Sequence, residues 1–306
     1  MQSEIKILHT TKKILLLLIA LFYLSGCDQA RLQSAGTGIN SYPALWKVQT
    51  NQSTLFLFGS IHSLPPQVKW YGDKIKHAFN AADELVVESL PGSEDEKFFR
   101  KIERKYGFLK GGKVISDYLT KKEYVTYQEI VKKTGLDKYK ADRMQPWLFF
   151  MIVHSLVNQE NSRYGVDRLL YRKALSRRIK ISGLETPYQQ VESLAAEPIS
   201  LQIKNLKKAL NAKKINPQTV KRHKDLLLSW MLGDTVRTAK IVADTSSTAL
   251  YNSLIVKRNN YWYPKIKSYL AKNLTTMLVV GQAHLIGRGN IIDKLRDAGF
   301  KVQRLQ

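Results

Sequence analysis

Two tetrapeptides constrain this chain more than anything else in it. Gly59-Ser-Ile-His62 follows the apolar run Thr54–Phe58, and Gly281-Gln-Ala-His284 follows the apolar run Thr276–Val280, near the other end of the chain. Both runs read as strands. If they belong to one sheet, the two ends of the domain meet there and everything between them is a long excursion. Histidine is scarce, six in 306 residues, so two in matching local contexts are unusual. A histidine just past a rigid strand is well placed to bind a metal or move a proton.

The rest of the pattern supports strands at both ends around a helical middle. Ala44–Val48 and Thr54–Phe58 flank the polar stretch 49–53 and read as a β-hairpin. A helix is expected from Asp73 to Ala82, then a buried strand, Glu84-Leu-Val-Val-Glu88, and a turn at Pro91-Gly92. From Glu94 to Leu175 the spacing is helical, punctuated at Pro146-Trp147, with Leu148–Val153 as a core helix. Ile179–Leu184 is a short strand with Glu185 directly after it, and helices resume from Pro187 to Leu270. Within them, Lys204–Lys224 reads as a basic, solvated helical hairpin. After Thr276–Val280, Asn290 caps a helix that Gly299 ends, and Lys301–Leu305 is a last strand. The fold class is α+β: a central sheet formed by strands from both chain ends, with a large helical middle region. Four strands then lead into His62, Glu88, Glu185 and His284. If they run the same way in one sheet, those residues converge on one edge, where open α/β sheets bind ligands.

The N-terminus has a separate character. Lys12-Lys13 precede the apolar run Ile14–Tyr23, which is short for a membrane span but suits a signal peptide. The run leads to Leu24-Ser-Gly-Cys27, which looks like a bacterial lipobox whose cysteine is lipidated (palmitate included) after cleavage. The expected organisation is a lipoprotein signal peptide over 1–26, a lipidated N-terminus and tether over 27–42 that becomes rich in Ser, Gly and Gln from Arg31, and one domain over 43–306. By resemblance to enterobacterial lipoproteins, Asp28 directs retention in the inner membrane, facing the periplasm. Cys27 is the only cysteine. With its sulfur carrying lipid, disulfides, cysteine nucleophiles and zinc–thiolate sites are excluded. The net charge is +24, from 49 basic and 25 acidic residues. Such a charge suits nucleic acid or anionic lipid. A periplasmic location argues against nucleic acid and leaves the membrane, or a solvated basic surface without a specific partner.

Two imidazoles and a carboxylate, with positions left open to water, suit zinc, manganese, cobalt or iron(II). Such an ion lowers the pKa of bound water and polarises a carbonyl. His77, His154 and His223 fall in helical patterns and read as structural or surface residues, and His9 leaves with the leader.

An ordered set of motifs carries a family likeness. It comprises Leu57-Phe-Gly-Ser-Ile-His-Ser-Leu-Pro-Pro66, Leu85-Val-Val-Glu88, Gln145-Pro-Trp147, Gly165-Val-Asp167, Gly183-Leu-Glu-Thr186, Trp230-Met-Leu-Gly-Asp234, Arg258-Asn-Asn-Tyr-Trp262 and Val280-Gly-Gln-Ala-His-Leu-Ile-Gly287. Over Tyr42–Leu305 the chain resembles the TraB/GumN family, which includes the Tiki metalloproteases. The resemblance implies a Tiki-like fold related to the erythromycin-esterase and ChaN group. It also implies a divalent ion held by His62, Glu88 and His284. Arg258 and Asn259 match an Arg-Asn-x-x-Trp helix; arginine there serves an oxyanion or a substrate carboxylate, or forms an ion pair that fixes the helix. Glu185 is either the spare carboxylate for proton transfer or a cap of the following helix. Gly165-Val-Asp167 reads as a turn into a helix, and Trp230 and Trp262 as core. Two departures stand out: Ser60 replaces a common threonine, and Gln282 brings a bulky amide close to His284.

The resulting expectation is a lipid-anchored, periplasmic, metal-dependent hydrolase acting on peptide bonds, with Glu88 or Glu185 moving protons. The alternatives are a non-catalytic protein that binds haem or metal, or one that sequesters a peptide. Tyr261 and Tyr263 are candidates for an interface, and the oligomeric state is left open.

Overall fold

A computed structural model describes residues 39–90, 96–157, 164–211 and 217–306. The signal peptide, Cys27, Asp28, most of the tether and the Pro91-Gly92 turn lie outside the described residues. So does the 212–216 connection of the basic hairpin.

The described residues form eight strands: β1 (Ile39–Asn40), β2 (Leu45–Gln49), β3 (Thr54–Ser60), β4 (Val68–Lys69), β5 (Glu84–Ser89), β6 (Lys180–Glu185), β7 (Thr275–Gly281) and β8 (Val302–Arg304). Six form one sheet in the order β6-β5-β7-β3-β2-β8. The strands β6, β5, β7 and β3 are parallel neighbours. β2 returns from β3 as the antiparallel hairpin arm, and β8 closes the edge antiparallel to β2. The late strand β7 lies between the early strands β3 and β5, so both ends of the domain are sewn into the same sheet. The architecture is α+β, as the pattern of the sequence implied.

Why these strands are almost wholly apolar follows from their position. Parallel strands joined by helical crossovers are covered on both faces. Phe56, Phe58, Leu85, Val87, Met277 and Val279 pack on one face with Trp70, Ile75, Phe79, Leu170 and Trp230. The alternate residues Leu55, Leu57, Val86, Leu278 and Val280 pack on the other with Trp262, Ile266, Ile291 and Leu295. The period-2 alternation thus sorts residues between two cores rather than between core and water.

The helical middle is more broken than its spacing suggested. Thr120 caps the helix Lys121–Thr134 through a capping box, and Gly135 ends it in the left-handed conformation at φ 68°. Further helices span Lys138–Arg143, Pro146–Val157 and Val166–Arg177. Gln145 and Trp147 donate to the Phe108 and Tyr106 carbonyls, tying this region to the turn at 103–107. The basic hairpin forms as the helices Ile199–Leu210 and Pro217–Met231. It is only partly solvated, because Ile203, Leu206 and Leu210 enter a core with Tyr127 and Phe149. Asn290 caps the helix Ile291–Asp297 as expected.

One boundary shifts. The tether was expected to run to Tyr42, yet Ile39–Asn40 already pairs with β4 and the Tyr42 N–H donates to the Met231 carbonyl. Ordering these residues requires the Val68–Lys69 edge, which is distant in sequence. Among the described residues, no helix is long and apolar enough to cross a membrane.

Candidate active site

The four parallel strands end together. His62 lies two residues past β3, Glu88 is the penultimate residue of β5, Glu185 ends β6, and His284 closes a 3-10 turn after β7. Gly281 is the hub. A Cβ built on it would stand 3.3 Å from Glu88 Oε1, 3.7 Å from His284 Cδ2 and 3.9 Å from His62 Nε2. Any side chain here would therefore fill the space the three functional groups share. Gly165 is equally constrained: a Cβ there would collide with the His62 carbonyl, while the Val166 N–H donates to the Ile61 carbonyl.

Each imidazole is held by its Nδ1. His62 Nδ1 donates to Asp167 Oδ2 at 2.8 Å. His284 Nδ1 lies 2.7 Å from Asn259 Oδ1. The Asn259 amide nitrogen donates to the His284 and Gly289 carbonyls, which identifies the oxygen facing the ring as an acceptor. His284 therefore carries its proton on Nδ1 and presents a bare Nε2, 3.7 Å from Glu88 Oε1. The ring is buried against Trp262, with centroids 4.4 Å apart.

Arg258 knits the acids together. It follows a π-helical turn, Asn252–Lys257, of the kind often found at functional sites. Its Nη2 donates to Glu88 Oε2 at 2.6 Å and to Glu185 Oε1 at 2.7 Å. Nε contacts both Glu185 oxygens, and Nη1 lies 3.2 Å from His284 Nε2. The guanidinium also packs over the Trp262 ring. Glu88 receives two more donors, the Gly281 N–H at 2.7 Å and Gln190 Nε2 at 3.2 Å.

These contacts set the charge states. Burial opposes ionisation of Glu88, but Arg258, the two histidines and the Gly281 N–H hold its carboxyl down to about 2. Burial and Arg258 push His284 down to about 3, against the pull of Glu88, so it is neutral at ordinary pH. Burial disfavours the charged form of His62 as well, yet Asp167 and Glu88 outweigh it and raise that ring above its ordinary value. Burial pushes Glu185 up, with the Glu88 charge adding to it against the pull of Arg258.

One reading of Glu185 is corrected. It does not cap the following helix: Thr186 caps Pro187–Leu194 by accepting from the Gln189 N–H. As a carboxylate for proton transfer it would act with both oxygens already engaged by Arg258 and Trp262 Nε1. It anchors the arginine. Arg258 forms the ion pair of its second reading, though within the cleft. His284 is buried, because the 3-10 turn folds it back beneath Trp262.

Sequence reasoning missed three partners. Asp167 was read as part of a turn, Trp262 as core alone, and Gln190 was not singled out. The close approach of Gly165 to His62 was the available signal for Asp167, but sequence does not show which backbone a glycine accommodates. Trp230 is core, and its Nε1 also donates to the Gly59 carbonyl at 2.9 Å, fixing the first motif. Gln282 packs its Cβ and Cγ into the space Gly59 leaves open. His77 is exposed and His223 half-buried on their helices; the His154 side chain lies outside the described residues.

The donor set of two imidazole nitrogens and a carboxylate oxygen, each imidazole braced through its other nitrogen, fits a divalent transition ion by its chemistry. The spacing is looser than a closed coordination sphere. Among the described residues, no group of three or more His, Cys, Asp or Glu side chains stands close enough to hold an ion.

Comparison with known proteins agrees in kind. The family model described as the TraB/PrgY/gumN family matches residues 44–304. A curated relative named as a metalloprotease TIKI homolog, from Amphimedon queenslandica, is 24% identical, with the match covering 87% of this chain and 62% of the relative. The chain thus spans less than two thirds of that relative's length. No solved structure matches.

Proposed function

Because the chain belongs to the TraB/PrgY/gumN family, we propose that the cleft at the sheet edge is the active site of a metal-dependent hydrolase, with peptide bonds as the target. The observation that carries this reading is the pair of braced imidazoles. Their two Nδ1 atoms are tied back to Asp167 and Asn259, and both rings border the same Gly281 hub as Glu88. The relative's printed name supports a metalloprotease chemistry.

His62 Nε2, His284 Nε2 and a Glu88 oxygen would hold the ion; when bound, a divalent ion supplies acidified water and polarises a carbonyl. The chain's own residues do the remainder. Asn259 keeps His284 in the tautomer with Nε2 bare. Glu185 and Trp262 hold Arg258, which keeps Glu88 ionised and aims it at the hub. His62, partly exposed, gives its Nδ1 proton to Asp167, which leaves Nε2 facing the hub. The wider setting is also a proposal: Cys27 is lipidated, and the domain faces the periplasm at the inner membrane.

Metal analysis of the purified chain, beside His62→Ala and His284→Ala, tests the reading. Bound zinc, manganese, cobalt or iron near one equivalent is expected in the parent and a sharp loss in each variant. Equal metal content in all three defeats it. A quenched-fluorescent peptide library then tests hydrolysis.

One observation favours a second reading. Arg258 already bridges Glu88 and the bare His284 Nε2, and the donors are not drawn together. Such a cleft suits a binding protein that holds a peptide carboxylate, or haem through its histidines. A peptide recovered intact, or a Soret band after haem addition, without any hydrolysis supports that reading.

A further inference from the structure

The corner where the chain enters the domain carries an apolar tip. Tyr42, Leu228, Leu232 and Val236 are 61%, 48%, 70% and 81% exposed. They come from three segments that meet. The Tyr42 N–H donates to the Met231 carbonyl, the Leu232 N–H to the Leu228 carbonyl, and Gly233 at φ +66° turns the chain tightly beside the Tyr42 carbonyl. The helix Thr235–Thr245 packs back against Pro217–Met231.

Lysines line the same faces. Lys221, Lys224, Leu228 and Leu232 follow a 3,4,4 spacing and are all exposed, so they form one stripe along the helix. Val236 and Lys240, four apart on the neighbouring helix, extend it. An apolar tip with a basic flank suits shallow insertion among headgroups. The chain's net charge of +24 favours anionic ones.

The sequence outside the described residues says what this corner faces. Lys12-Lys13, the apolar run Ile14–Tyr23 and Cys27 precede it. Residues 28–38 between Cys27 and Ile39, at ~3.3–3.6 Å per residue, reach at most about 40 Å. Ile39 enters the domain beside this corner, so an anchored chain keeps the tip close to the bilayer at high effective concentration.

We propose that the Tyr42–Leu228–Leu232–Val236 face docks on the surface of an anionic lipid bilayer. The proposal rests on the anchoring part of the functional reading, not on hydrolysis. It has a consequence for the site. β2 is antiparallel to β3, with Leu45 opposite Phe58, so Tyr42 stands at the same sheet edge as His62. Trp230, on the helix bearing Leu228, bonds the Gly59 carbonyl beside the first histidine motif. Docking therefore turns the histidine edge toward the membrane and directs the site to substrates presented at its surface.

The test uses the full chain with Cys27→Ser, carrying an environment-sensitive fluorophore at Val236→Cys or, as a control, at Val125→Cys on the helix Lys121–Thr134. Vesicles are phosphatidylglycerol–phosphatidylethanolamine or phosphatidylcholine alone. The protein is expected to sediment with the anionic vesicles. The Val236 label should shift to the blue and be quenched by spin-labelled lipid, while the Val125 label stays in water. Salt, or Lys221→Glu with Lys224→Glu and Lys240→Glu, should weaken the shift. Sedimentation with both labels still in water overturns the docking, and so does protein left in the supernatant; anchoring is read separately, by mass spectrometry of lipid on Cys27 in the parent chain, so the two can fail independently. A concentration-dependent shift at Val236 without vesicles means that a second copy covers the face, and also overturns it.

Discussion

His62 and His284 share one local grammar, on adjacent parallel strands, yet end in opposite states. His62 is partly exposed and faces a carboxylate, Asp167, which raises its pKa. His284 is buried beneath Trp262, faces an amide, and has a guanidinium beside it; it falls to about 3. The difference teaches that the motif sets where an imidazole emerges, while the partner at Nδ1 and the nearest charge set what it does. A carboxylate partner favours the protonated ring. An amide partner with an arginine neighbour favours a permanently bare nitrogen.

The harshest test removes the charge that separates the two sides. Arg258→Met leaves Glu88 and Glu185 buried without their cation, and is expected to cost about 3–5 kcal/mol in urea unfolding. In the same variant the His284 pKa, followed by NMR, should rise; an unchanged value would mean that burial alone sets it.

Next come the alanine variants. His284→Ala opens a cavity against Trp262 and orphans the Asn259 oxygen, for an expected loss of about 2–4 kcal/mol. His62→Ala, at a partly open position, should lose about 1 kcal/mol or less. Equal losses would erase the contrast.

The pH profiles should then separate. His284 has a folded pKa below its ordinary 6.5. Its contribution to stability is full above pH 6.5 and drains as the pH falls toward 3. His62 has a folded pKa above 6.5, so its contribution is full below pH 6.5 and is lost as the pH rises through the folded value. Each acts with a slope of up to about 1.4 kcal/mol per pH unit. Subtracting the His284→Gln profile from the parent should isolate the acid-side decline, and subtracting His62→Gln the decline above pH 6.5. Both declines on the same side would contradict the assignment.

The mildest change is Asp167→Asn. It should lower the His62 pKa and cost about 1 kcal/mol through a weaker hydrogen bond, with His284 unmoved in the same NMR titration. A shift at both rings would show them to be one coupled unit.

Much of this was legible beforehand, for a reason that can be stated. The strand-then-histidine units, the Glu88 exit and the Arg258-Asn259 pair are local patterns, and local patterns survive in a sequence. Asp167 and Gln190 were not legible because their roles are relations between distant segments: Asp167 works because Gly165 lets its turn lie against the His62 carbonyl. Glu185 shows the same limit, since two local readings were open and a third, anchoring Arg258 across to Glu88, required the neighbouring strand.

By itself the sequence determined the elements, the two-sided burial of the central strands and the side chains delivered at their ends, because apolar periodicity and glycine placement are written residue by residue. Only the tertiary structure decided which imidazole is wet, which acid is spoken for and which charge stands beside which. Those outcomes depend on distances of a few ångströms between groups that the chain itself keeps far apart.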